Sequence, residues 1–410
     1  MVLHYIFFLF FLIAFVFALL QFFINGNTEI FNQIVDSTFE MSKVSVDISI
    51  YLIGVMTLWL GFMNIGEKGG AVQILAKIVA PFFKRIFPEI PKNHPVMGSI
   101  LMNFSANMLG LDNAATPLGI KAMEELQELN PKKDTASNAQ IMFLVLNTSG
   151  LTLIPVSILA IRAAEGAQNP AEVFIPILLA TFCSSMAGLI FTSIAQKINL
   201  FNKVVLAYLI SASLIIAGII TYFTSLSPED VKTQSALIGN GILFSVIIFF
   251  LTLGYRKKID LFSTFIEGAK EGFSIAVKII PYLVGMLVAI GVFRTSGALS
   301  YLISGIEKLF LLFNLDTEFV KALPVAFMKP LSGSGARAMM VEVIHTYGVD
   351  SFAGKLAATF QGTTETTFYT LAVYFGAVGV KNTRNAVPLG LLADLAGIIA
   401  AIFISYIFFS

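Results

Sequence analysis

The feature that most limits what this chain can become is a succession of apolar runs, each about twenty residues long. A helix needs about that length to cross the hydrocarbon core of a bilayer. Nine runs meet the requirement: 2–24, 46–66, 139–161, 173–195, 203–224, 236–254, 274–293, 356–380 and 386–409. Of the 410 residues, 57% are hydrophobic and 12% charged, half the charged share of a soluble domain. An all-α polytopic membrane protein is therefore expected. The first run has no basic leader and no small-residue cleavage site, so it reads as a span rather than a signal peptide. A net charge of +1 gives no electrostatic reason to expect nucleic acid. The single cysteine, Cys183, excludes an intramolecular disulfide. His4, His94 and His345 are too scattered for metal-ligand spacing, so no metal and no cofactor are expected.

Short cytoplasmic loops collect Lys and Arg, which orients the spans. Basic loops contain "FFKR" with Lys92, "NPKKD", Lys197 with Lys203, "YRKKID" and "KNTR"; the loops 25–42, 163–172 and 225–235 are poor in basic residues. With the amino terminus cytoplasmic and the carboxyl terminus outside, these alternate from end to end, provided two further apolar stretches do not cross. Those are 95–120, "PVMGSILMNFSANMLGLDNAATPLGI", and 323–345, "LPVAFMKPLSGSGARAMMVEVIH". Each is interrupted by Gly, Ser, Asn or Pro, and broken backbone is tolerated at membrane depth only against protein or a wet cavity. Both read as re-entrant helical hairpins.

The chain also resembles itself. "YLIGVM" (Tyr51–Met56) returns as "YLVGML" (Tyr282–Leu287), and Phe62 with Gly66 returns as Phe293 with Gly297. "NFSANMLG" matches "PLSGSGAR", "NTSGLTLIPV" matches "GTTETTFYTL", and "FIPILLA" matches "AVPLGLL", in the same order. By the loop charges the first copy starts outside and the second inside, so two inverted repeats are expected. Inverted repeats with broken hairpins are a secondary-transporter architecture, with the solute near the midplane.

At these motifs a family resemblance appears. "NFSANMLGLDNAATPLGIKAMEELQELNP" with "FLVLNTSGLTLIP" resembles spore maturation protein A. "FIEGAKEGF", "PYLVGMLVAIGVFRTSGAL", "PLSGSGA" and "GTTETTFYTLAVYFGAVGVKNTR" resemble spore maturation protein B. The chain looks like a fusion of the two, and both halves are similar to Gate, or nucleoside-recognition, domains. The resemblance implies a bacterial inner-membrane protein with a concentrative-nucleoside-transporter-like core. The expected organisation is an N-terminal span and outer loop over 1–45, a first Gate repeat over 46–200, a linking helical hairpin over 201–255 and a second Gate repeat over 256–410.

Polar residues inside the apolar runs mark the candidate site. Glu365 is a carboxylate in a predicted span, and such a group usually faces a cavity or a partner. Gln361, Thr363, Thr364 and Thr366 surround it; Gln361 and Glu365 share a helix face. The set suits a cation, a proton or a hydroxylated ligand, although hydroxyls also join neighbouring helices. The first copy offers Asn147, Thr148 and Ser149, with Gly150 where the second has Glu365. Ser105 and Asn107 in one hairpin tip, and Ser332 and Ser334 in the other, are candidate pocket walls; Asp112 and Asn113 follow the first tip. Asp394, buried in the last span, needs a donor or a proton, and Lys278, Lys329 and Arg337 are candidates. Arg294 ends a span and reads as a snorkelling charge.

Three functions compete. The first is a transporter moving or binding a small polar solute (nucleoside-like, an organic anion or an ion), drawing on a coupling ion or proton, because no nucleotide-binding loop is present. The second is a membrane scaffold or regulator of cell-envelope or spore-maturation enzymes, working with an envelope enzyme or as a homo-oligomer. The third, an intramembrane enzyme, lacks a base at the depth of its candidate nucleophiles, so the chain is expected not to be an enzyme.

Overall fold

The computed structural model describes residues 2–91, 94–314 and 316–409, and within them the side chains of all but 2–4, 112–114, 228 and 232. The side chains of His4, Lys92, Asp112 and Asn113 therefore lie outside the described residues. Among those described no strand occurs; Thr135 and Asn382 form an isolated bridge. Helix α1 (Val2–Asn25) precedes two series of helices with the same order. The first comprises α2 (Ile30–Gly69), α3 (Ala71–Ile86), a helical hairpin of α4 (Val96–Met108) and α5 (Asp112–Leu129), a broken pair of α6 (Asn138–Thr148) and α7 (Val156–Ala164), and α8 (Phe174–Gln196). Helices α9 (Lys203–Thr224) and α10 (Pro228–Arg256) follow. The second series runs α11 (Leu261–Thr295), α12 (Ala298–Leu311), a hairpin of α13 (Leu323–Met328) and α14 (Gly333–Tyr347), a broken pair of α15 (Phe352–Thr363) and α16 (Thr367–Ala377), and α17 (Ala386–Phe409).

Among the described residues, 7 helices are long and apolar enough to cross a membrane: α1, α2, α8, α9, α10, α11 and α17. The expected spans 139–161 and 356–380 are not continuous helices, which corrects the sequence reading. In the first, Gly150 takes a left-handed φ of 52° and Pro155 precedes the next helix. In the second, Thr364 is extended at φ −140° and ψ 170° within a run of β-branched threonines that favour helix weakly. Conversely, α2 and α11 outrun their expected spans at 40 and 35 residues. At 1.5 Å per residue, α2 is about 60 Å long, roughly twice the hydrocarbon thickness.

Equivalent helices of the two series pack antiparallel. Along α2 and α11, Lys68 pairs with Glu267, Asn64 Nδ2 donates to the Thr264 carbonyl at 2.7 Å, and Met41 packs on Gly291. Gly268 makes the close approach possible, because a Cβ there would lie 2.3 Å from the Leu60 carbonyl oxygen. Along α8 and α17, Ser184 Oγ donates to the Ala393 carbonyl at 2.9 Å, and Gly397 lies over Ser184 on the same pair. Burial separates core from periphery. The apolar window of α8 is 61% buried, whereas that of α9 is 6% buried and leaves Leu214 and Ile215 outward for lipid.

Candidate functional site

The two helix breaks cross. The Glu365 amide donates to the Thr148 carbonyl at 2.8 Å, using an acceptor that the end of α6 leaves unpaired. Each break is also tied to the hairpin turn of its own series. The Leu153 amide donates to the Met108 carbonyl at 2.7 Å, and the Phe368 amide to the Pro330 carbonyl at 3.0 Å. Gly150 and Glu365, equivalent in the sequence repeat, touch at the crossing: a Cβ on Gly150 would stand 3.0 Å from Glu365 Cγ and from its amide nitrogen. A side chain at position 150 would crowd Glu365 and would also need the left-handed backbone that glycine adopts without strain.

A cavity of about 420 Å³ opens beside the crossing. Helices α2 and α11 give it Asn64, Glu67 and Glu271; the second hairpin gives Lys329 and Arg337; the breaks give Thr152, Gln361, Thr364 and Glu365. A second cavity, of about 280 Å³, is lined by Asn107, Thr116, Asn147, Tyr369, Thr370 and Tyr374, and again by Glu365. Asn107 Nδ2 donates to Asn147 Oδ1 at 2.7 Å, joining the first hairpin to the end of α6. Glu365 is thus the carboxylate shared by both spaces.

The remaining candidates divide by what they touch. Thr363 donates to the Thr359 carbonyl at 2.6 Å and lies against Gly397 of α17, so it joins helices and lines neither cavity. Thr148 and Ser149 donate back to Val145 and Leu146 within their own turn. Ser105 is buried, and its hydroxyl has no hydrogen-bond partner among the described residues. Thr366 sits under Gly333, at the start of α14. Ser332 caps α14 by accepting from the Gly335 amide at 3.0 Å, and Ser334 lies 3.3 Å from it. These serines shape the hairpin start and line neither cavity. Asp394 accepts from Thr367 Oγ1 at 2.7 Å, and Lys329 is the lysine within its electrostatic reach; Lys278 is exposed. Arg294 pairs with Glu342 at 3.0 Å and lines neither cavity.

Sequence reasoning missed Asn64, Glu67, Glu271 and Tyr369. The two glutamates sit near the ends of predicted spans, where carboxylates are ordinary. Only the match between "YLIGVM" and "YLVGML" hinted that their helices belong together.

The Gate family, described as nucleoside recognition, matches residues 49–165 and 276–381, more than half of the chain. The chain belongs to the Gate family. The match falls on both helix series and takes in both breaks. A Bacillus subtilis (strain 168) protein, spore maturation protein A, is 43% identical over 166 residues, covering 40% of this chain and 83% of that protein. Spore maturation protein B of the same organism is 48% identical over 164 residues, covering 40% of this chain and 90% of its own length. This Gate protein is thus similar to both, as expected of a fusion. No solved structure matches it.

Proposed function

We propose that this Gate protein is an integral inner-membrane transporter-like protein that moves or binds a small polar solute where its two helix breaks cross. The observation that carries this reading is Glu365, held at the crossing by its amide and lining both cavities. Crossed breaks put helix ends, backbone groups and a carboxylate beside a space a solute can enter, an arrangement that secondary transporters use at the bilayer midplane. The antiparallel pairing of α2 with α11 and of α8 with α17 supports inverted repeats and a concentrative-nucleoside-transporter-like core. In this reading α4–α5 and α13–α14 are re-entrant hairpins, the amino terminus is cytoplasmic and the carboxyl terminus lies outside. Asn107, Asn147, Gln361, Thr364 and Glu365 contact the solute. Ser105, Thr148, Ser149, Ser332, Ser334, Thr363 and Thr366 set the backbone around it. The domain limits at 45, 200 and 255 separate the repeats from the helices that join them.

The test is a metabolite-uptake screen on reconstituted full-length protein, with Glu365→Gln beside it. Uptake of a solute by the wild type that falls at least tenfold in the variant is the expected result. Equal uptake by both proteins rejects the site.

A second reading has its own support, because both curated relatives are named for spore maturation rather than for a solute. In it the protein is a membrane scaffold or regulator of envelope or spore-maturation enzymes. Co-purification of such an enzyme, together with a cellular phenotype indifferent to Glu365→Gln, would favour it.

A further inference from the structure

Glu365 lines both cavities and is half-buried, yet among the described residues no group donates a hydrogen bond to its carboxylate and no cation pairs with it. A carboxylate partly withdrawn from water and left without a donor calls for one from outside the protein. The rest of the smaller cavity offers acceptors more than donors. Asn107 Nδ2 donates to Asn147 Oδ1 at 2.7 Å, Asn147 Nδ2 to the Phe143 carbonyl at 2.9 Å, and Thr370 Oγ1 to the Thr366 carbonyl at 3.0 Å. The Thr370 hydroxyl has no further proton to give, and each amide keeps one N–H beside the lone pairs of its oxygen. Among the described residues, Glu365 is the one charged side chain that lines this space. In the larger cavity the carboxylates of Glu67, Glu271 and Glu365 stand against two cations, Lys329 and Arg337, which already interact within the protein. Both spaces that Glu365 lines therefore carry a negative balance.

We infer that the group bound at Glu365 is a protonated amine carried by a small organic solute. The inference rests on the solute-binding reading above and names the charge and class of the solute. An ammonium brings N–H donors together with a positive charge, so it answers both the carboxylate and the acceptor oxygens of Asn107, Asn147 and Thr370 on the same cavity. A bare alkali ion would leave most of about 280 Å³ empty. Tyr369, 62% exposed, adds an aromatic wall, which attracts an organic cation as well. A neutral polyol can use the acceptors but leaves the charge of Glu365 unopposed, and an anion is repelled by it.

Two matched pairs differ by an amine in place of a hydroxyl: ethanolamine with ethylene glycol, and 5′-amino-5′-deoxyuridine with uridine. Titration calorimetry of the purified full-length protein, at low salt in an amine-free buffer, compares the members of each pair. In at least one pair the amine is expected to bind tighter, by about tenfold or more. Glu365→Gln should bring the two affinities within about twofold of each other. That variant keeps the backbone hydrogen bond from position 365 to the Thr148 carbonyl, and an unchanged unfolding midpoint separates lost binding from lost fold. Thr370→Val withdraws one acceptor and spares the charge, so it should weaken the amine by about twofold to fivefold and keep the preference. Equal affinities within both pairs, binding of none of these compounds, or an amine preference that survives Glu365→Gln overturns the inference. Sodium chloride titrated alone is the inorganic arm: if it binds the wild type but not Glu365→Gln while the amines show no preference, the site belongs to a metal ion and the inference falls. Uptake that depends on Glu365 without any preference for amines removes the ammonium and leaves the solute-binding reading in place.

Discussion

The two helix breaks occupy equivalent places in their series yet are built by opposite means. The first relies on covalent geometry: Gly150 is left-handed and Pro155 lacks an amide proton. The second has neither device at its centre. Thr364 is extended, and the amides of Glu365 and Phe368 donate hydrogen bonds to the Thr148 and Pro330 carbonyls, which lie far away in the chain. One break is local and the other is tertiary. The tertiary one carries the carboxylate, and the local one has a glycine at the point of contact.

The flanking helices repeat the contrast. Helix α7 is anchored by Arg162, fully buried, to Asp350 at 3.1 Å and to the Val349 carbonyl at 2.8 Å. Helix α15 is anchored by Lys355 to Glu172 at 2.7 Å, with both side chains buried. Each anchor crosses from one series to the other. Because both members of the second pair are shielded from water, its loss has the largest expected effect on stability. Lys355→Met leaves the Glu172 carboxylate buried without its partner and should cost about 3–5 kcal/mol, read as a lower unfolding midpoint in detergent. Asp350→Asn should cost clearly less, since Asp350 is part-exposed and Arg162 keeps its carbonyl. Equal losses would break the comparison.

The next largest effect concerns the crossing itself. Gly150→Ala adds a Cβ against Glu365 and forces an alanine into the left-handed region, and about 1–3 kcal/mol should be lost. Combining it with Glu365→Gly should recover the share due to the Glu365 side chain and leave the shares due to its backbone and to the left-handed alanine, a split that unfolding midpoints of the double-mutant cycle would measure. If the double variant is no more stable than Gly150→Ala alone, the two positions do not exclude each other.

The smallest effect is a pH dependence that arises at Glu165 in the first series. Glu165 follows α7, outside the helices able to cross a membrane, and burial pushes its carboxyl up to about 7 from 4.5. The folded protein then holds a proton that the unfolded chain has released between those values. The contribution of Glu165 to stability is greatest below 4.5 and is lost as pH rises through 7. Glu165→Gln should flatten that slope in unfolding midpoints taken across the window.

Much of this design was legible in the chain. Apolar length gave the helical membrane class, and the paired motifs gave the order of the two series. Breaker residues in 95–120 and 323–345 marked the hairpins, because a helix cannot run through them against lipid. The polarity of Gln361–Thr367 pointed to the crossing, and Glu365 lies there. Other contacts were not legible, for a physical reason. Thr363 and Glu365 look alike in a hydropathy profile, and which of them faces a cavity depends on the turn at which α15 stops. Arg294 meets Glu342 through packing of α11 against α14, a contact 48 positions away that no local pattern records.

The sequence by itself determined that this protein is a bundle of apolar helices in two matching series, because apolar length and breaker residues act within one segment at a time. Only the tertiary structure decided that two of the expected spans are broken, that the breaks meet, and that Glu365 lies against Gly150 and lines both cavities. Those outcomes depend on distances between segments more than two hundred residues apart. Side-chain volume and the demand that every buried amide find a partner settle them only once the helices are packed.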